Sequence, residues 1–215
     1  MRTKILGLVA VGLLVIPYLA GNSVQAAPIL QTDITTGTLS GALNVDVNGT
    51  LYDVRFVDGT CMALFSGCDN GSDFPFATLA EATAAGQALL DFVFINIPGS
   101  YRFDEFPGQT VGCLGTSTAC SVYIPTGIAN DGSVQGVVAV NNISIASDFV
   151  GGLAGLAPSY DTAANDSQHR FVWAAWSQPV TVPEPGALSI MVAGLLGLAF
   201  TRAGRRMPSG NGLPR

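Results

Sequence analysis

Apolar and polar residues alternate from Leu39 to Val47 around Leu43, Val45 and Val47, and after Asn48-Gly49 a second β-rich run follows from Leu51 to Val57. Asn-Gly between two such runs is a strong hairpin signal, because both residues tolerate the positive φ of a two-residue turn. Asp58-Gly59 predicts another turn, and Asp69-Asn70-Gly71-Ser72-Asp73 an exposed acidic segment. At Thr78 the pattern changes. Thr78-Leu79-Ala80-Glu81 is a capping box, and Leu79, Ala82, Leu89 and Phe92 approximate one helical face, so a helix is expected over about 78–91. Downstream, 92–97 reads as a strand ended by Pro98-Gly99, and 121–124 as a strand ended by Pro125. A valine-rich strand lies within 134–145, Gly151-Gly152 to Pro158 reads as a loop, and 170–176 as the closing strand. The pattern predicts an α+β fold, mostly β: an antiparallel sheet or small β-sandwich with one helix on one face.

Two segments stand apart from this pattern. Residues 1–26 run from Arg2 and Lys4 through an apolar stretch, Ile5–Ile16, and Pro17 to the small residues around Ala26. That order is a secretory signal peptide, a signal helix with its cut expected before Ala27. Residues 182–206 place Pro183-Glu184-Pro185 before an apolar run, 186–200, and then Arg202, Arg205 and Arg206. The prolines break the chain away from the preceding domain. The apolar run reads as a transmembrane helix, and the arginines mark its cytoplasmic side. A short tail, 207–215, follows.

The proline-glutamate-proline triplet, glycine- and leucine-rich helix and arginine cluster of 182–206 together resemble the PEP-CTERM sorting signal of Gram-negative bacteria. The resemblance implies recognition and processing by an exosortase, a membrane protease, with Pro183, Glu184, Pro185, Arg202, Arg205 and Arg206 as the sorting motif. The stretch from Gly41 through Cys61 to Asp91 is similar to a segment of small PEP-CTERM proteins of unassigned role. It implies a shared domain and carries no activity with it.

The whole chain of 215 residues has a net charge of −6 and only 11% charged residues, and its mean hydropathy is +0.43. Those averages mislead, because the two terminal segments hold much of the apolar character. Residues 27–182 contain only Arg55, Arg102 and Arg170 as cations against twelve aspartates and two glutamates, a net charge of −11. This excludes the cationic surface on which nucleic-acid binding depends and disfavours contact with anionic lipid. Solubility and affinity for cations are the expected properties.

All four cysteines lie in this acidic core as two C-x6-C units, Cys61 with Cys68 and Cys113 with Cys120. In an exported chain an even count reads as two disulfides. Three connectivities are open, and local pairing closes two small glycine-containing loops. A four-thiolate metal site is disfavoured, since the spacing is not that of zinc knuckles.

Candidate chemistry is sparse. His169 is the one histidine, no G-x-S-x-G elbow occurs, and the only lysine is Lys4, so a Ser-His-Asp site lacks its parts. Asp104-Glu105 is the densest acidic point, but adjacent residues on a strand face opposite ways, which is poor geometry for a glycosidase pair. Residues 44–49 imitate half of a calcium loop, yet Arg55 stands where its last ligand belongs. Asp69, Asn70 and Asp73 are the better oxygen set for Ca²⁺, and no other cofactor is expected. Four N-x-S/T sequons, at Asn48, Asn70, Asn142 and Asn165, carry little weight in a bacterial setting.

The sequence therefore predicts an exported core, 27–181, without enzymatic activity, sorted by an exosortase-like enzyme. It is first held at the inner membrane by its C-terminal helix and then placed at the cell surface or in an exopolysaccharide-rich biofilm matrix. The alternatives are an extracellular polysaccharide hydrolase using Asp/Glu chemistry and a Ca²⁺-dependent carbohydrate-binding module.

Overall fold

A computed structural model describes residues 27–113, 115–165 and 170–179. The expected signal peptide, the sorting motif with its arginines and His169 lie outside the described residues. Among those described, no helix is long and apolar enough to cross a membrane.

The core is mostly β, with one seven-stranded mixed sheet and one long helix. The strands are β1 (Ile29–Thr32), β2 (Leu39–Val47), β3 (Thr50–Val57), β4 (Ala119–Ile128), β5 (Val134–Asn142), β6 (Phe149–Leu156) and β7 (Phe171–Ser177). Short helices α1 (Cys61–Leu64) and α3 (Thr162–Asn165) flank the long α2 (Leu79–Phe92). The spatial order is β1-β2-β3-β7-β4-β5-β6, with every neighbouring pair antiparallel except β7 and β4, which are parallel.

The predicted hairpin forms at Asn48-Gly49, where φ is 53° and 86°. Asp46 Oδ1 accepts the Gly49 N–H at 2.6 Å and closes the turn. The half calcium loop is thus spent on a strand and its turn. A bulge between Ala42 and Val45, with Asn44 at φ 57°, reverses the face on which Leu43 had been expected, leaving Ala42, Val45 and Val47 buried.

Helix α2 opens as its capping box predicts: Thr78 Oγ1 accepts the Glu81 N–H at 3.2 Å, and Glu81 Oε2 accepts the Thr78 N–H at 3.1 Å. Its buried face is Ala82, Ala85, Gly86, Ala88 and Leu89, while Leu79 and Phe92 are exposed at its two ends. The small residues let the helix approach the sheet closely. A Cβ on Gly86 would stand 3.0 Å from Val150 Cγ1 of β6.

Four departures from the sequence pattern have identifiable causes. Residues 92–97 are not a strand: the helix runs through Phe92, and the Val93 and Phe94 N–H groups bond back to Leu89 O. The apolar run then buries Val93 and Phe94 as the helix leaves the core. Pro125 does not end β4, because a register shift between Pro125 and Gly127 absorbs the missing donor. The glycine-rich 151–158 stretch contributes most of β6, since ladder bonds to β5 need backbone alone. Finally, β7 is the middle strand of the sheet, not its closing edge.

β7 is apolar on both sides because both its faces are covered. Val172, Ala174 and Trp176 join the main core under α2. Trp173 points into a second cluster with Cys61, Phe65, Cys68, Phe74, Tyr123 and Val134. The fully buried indole needs an acceptor, and Trp173 Nε1 donates to Gly59 O at 3.0 Å. Thr162 Oγ1 donates to Asp58 Oδ1 at 2.9 Å and accepts the Gly59 N–H at 3.1 Å, tying the Asp58-Gly59 turn to α3.

Gly136 sets a close approach of β5 to β4. A Cβ there would overlap Ile124 O and lie 2.9 Å from Pro125 Cα, so any side chain must force β4 and β5 apart. Gly136→Ala is expected to lower stability by about 1–3 kcal/mol, the usual cost of overpacking. Urea unfolding measures it, and unchanged stability would contradict the packing described.

Candidate functional site

The chemistry-bearing side chains meet where the end of α2, the 94–105 segment and the β5–β6 turn converge. A cavity of about 410 Å³ lies there, and Asp91, Phe94, Asn96, Asp104, Ile145 and Asp148 are among the residues lining it.

Asp104 is held in place by its neighbours in the chain. Phe103 is fully buried and its ring stacks on Tyr101 with centroids 5.1 Å apart. Phe103 N–H donates to Ile95 O, and Asn141 Nδ2 of β5 donates to Phe103 O at 2.9 Å. This fixes the backbone so that the next side chain, Asp104, points inward with only 5% of its surface exposed. Glu105 pairs with Arg102, whose guanidinium lies over Phe106 at 5.3 Å from the ring centroid. The two lie in a turn and not on a strand, so the opposite facing expected of strand neighbours does not apply, and Asp104 is neither solvated nor alone.

Its partner is Asp148. A 3₁₀ turn, Ile145–Ser147, delivers Asp148 to the cavity, where its Oδ1 accepts the Asn142 N–H at 2.7 Å. The two carboxyl groups make direct side-chain contact. Asn96 Nδ2 donates to Asp104 Oδ2 at 3.1 Å and to Glu105 Oε1 at 3.2 Å. Asp104 Oδ1 is buried and receives no N–H donor. Burial is the main force raising the pKa of Asp104, opposed by its hydrogen bonds to Asn96 and Asp148. Burial also dominates for Asp148, with the Asn142 N–H acting downward and the charge and hydrogen bond of Asp104 acting upward. Two carboxyls in contact cannot both ionise freely, and such pairs hold one proton between them.

Neither family models, curated proteins nor solved structures match this chain.

The cysteines pair locally, Cys61 with Cys68 and Cys113 with Cys120, and none of the described cysteines is free. Thr60 caps the turn that carries Cys61 by accepting the Ala63 N–H at 3.2 Å. Ser66, Gly67 and Cys68 all take positive φ, which reverses the chain sharply enough to close the loop. The first disulfide packs in the cluster around Trp173. The second ties the start of β4 to the segment that precedes it.

At the proposed calcium loop, Asp73 Oδ2 accepts the N–H groups of Asp69 and Asn70, and Asn70 Oδ1 accepts that of Ser72. These oxygens stabilise the turn itself. Among the described residues no three His, Cys, Asp or Glu side chains are gathered in a metal-holding arrangement.

Asp148 was not singled out by the sequence. It lies 44 positions from Asp104, and nothing in the Ser147-Asp148-Phe149 context marks it. Only the pairing of β5 with β6 brings it to Asp104.

Two outcomes are expected. Both aspartates have folded-state values above their unfolded ones, so their contribution to stability is full below the ordinary aspartate value and is lost as pH rises through the raised values. Asp148→Asn should flatten that slope while keeping an acceptor for Asn142, so it should stabilise the protein at neutral pH relative to acid. Melting temperatures of both forms across pH 3–8 would show it, and parallel curves would count against the pair. For the disulfides, C61A/C68A should cost about 2–3 kcal/mol from loop-closure entropy, measured by urea unfolding.

Proposed function

We propose that this chain is an exported, exosortase-sorted protein of the cell surface or exopolysaccharide matrix, and that its core binds and does not catalyse. The observation that carries the reading is the pair of local disulfides in a lysine-free acidic domain. Such bonds belong to oxidising compartments, in keeping with a signal peptide over 1–26 and the sorting motif over 182–206. The large negative charge keeps a protein dispersed among polymers and repels acidic ones unless cations intervene.

A hydrolase is the second reading, because the cavity does hold two carboxyls. Their contact disfavours it. A glycosidase needs a gap for a sugar ring or water between its acid and its base or nucleophile, whereas Asp104 and Asp148 touch and are anchored by Asn96 and the Asn142 N–H.

Intact-mass analysis of the mature protein from the surface and medium fractions tests sorting. The expected product begins at Ala27 and ends near 182–186. A chain still ending at Arg215 in the extracellular fraction would overturn processing by an exosortase.

A further inference from the structure

The two edges of the sheet differ in how they are protected. β1 is four residues long, its pairing with β2 slips between Gln31 and Thr32, and Asp33 follows at once. Shortness, irregular register and a nearby charge all blunt an edge. β6, at the other edge, has eight residues, Phe-Val-Gly-Gly-Leu-Ala-Gly-Leu, with no charge and no proline. Among the described residues no strand pairs with its outer side. The outward N–H and C=O groups of such a strand are a template for another strand.

One stretch of β6 is regular. Residues 149–153 pair one for one with β5, from Phe149 opposite Val140 to Leu153 opposite Gly136, and the register shifts before Leu156, where Gly155 takes φ 72°. The regular edge is therefore five residues centred on Gly151. Val150 pins it to α2, against Gly86. On the other face the Phe149 ring folds over Gly151: a Cβ there would stand 3.2 Å from Phe149 Cε2, and Phe149 is still 53% exposed.

Charge and symmetry select the occupant. From Gly132 to Tyr160 the one charged residue is Asp148, and it is engaged by the Asn142 N–H and by Asp104. A core of net charge −11 thus has a neutral flank, where a like-charged copy can approach and nothing recruits a cationic partner. A strand whose regular stretch is symmetric about one residue is complementary to itself across a two-fold axis. With the axis at Gly151, Phe149 falls opposite Leu153 and Val150 opposite Gly152. The alternation of an antiparallel ladder then gives roughly four to six interstrand hydrogen bonds, and the two Phe149 rings face each other above the glycines. We propose that β6 pairs with β6 of a second copy, antiparallel about Gly151, joining two seven-stranded sheets into one. The contact buries on the order of 400 Å² per copy, about half the standard interface, so the dimer is reversible and concentration-dependent.

Sedimentation velocity of the full chain in a non-ionic detergent, from about 10 μM to about 1 mM, tests it. Monomer is expected at the low end and dimer at the high end. Raising the salt from about 0.02 to about 0.5 M should tighten the dimer several-fold by screening the repulsion between copies. A Cβ on Gly152 meets nothing within 4 Å, so Gly152→Asp should fold normally; its carboxylates beside the axis should weaken the dimer at least about tenfold. Ile29→Asp, on the exposed end of β1, should leave the dimer unchanged. Amide exchange across 149–153 should slow at the high concentration. A monomer throughout, a dimer that survives Gly152→Asp, one that is lost with Ile29→Asp, or growth beyond two copies would each overturn the pairing.

Discussion

The sheet depends on the placement of its last strand. β7 separates two antiparallel groups, β1-β2-β3 and β4-β5-β6, pairing antiparallel with β3 and parallel with β4. Its side chains alternate between two cores, with Val172, Ala174 and Trp176 under α2 and Trp173 among the aromatic residues beside the first disulfide. Each group alone would leave an edge unpaired. Because β7 is also the last strand among the described residues, the contacts that join the two halves are long-range, and such pairings close late and slowly. The disulfides act in the opposite sense. Both are local, so they limit the freedom of the cysteine loops before the sheet is complete.

The acidic cavity depends on that same sheet. Asn141 and Asn142 at the end of β5 anchor the two sides of the site, one through Phe103 O and the other through Asp148 Oδ1. Desolvation raises both carboxyl pKa values, while amide donors only partly oppose it. A domain of net charge −11 thus places two like groups in contact where a solvated surface was available to both.

Local signals were legible in the sequence where the physics is local. The Asn48-Gly49 turn, the reciprocal bonds of Thr78 and Glu81, and cysteine pairs seven positions apart all depend on a few adjacent residues. What was illegible depends on partners far away. Residues 92–97 have strand-forming side chains, but the chain there is still leaving α2. After Phe149 and Val150, β6 has none of the β-branched or aromatic residues usual in strands, yet β5 offers it a ladder and Gly86 offers room for Val150. The run 171–176 reads as a strand in either place; only pairing on both sides puts it at the centre. The candidate site shows the same division. Asp104 could be noticed for its neighbour Glu105, whereas Asp148 becomes meaningful only once β6 has folded back on β5.

The position of β7 also has a mechanical consequence. A chain tethered through its C-terminal end would receive tension at Ser177, the end of the middle strand. A pull along the strand loads its hydrogen bonds to β3 and β4 together, in shear, so that they resist as a set. An edge strand pulled outward would instead lose its bonds one at a time, like a zip. Under such tension the strand that joins the two halves would pass the load to both of them at once.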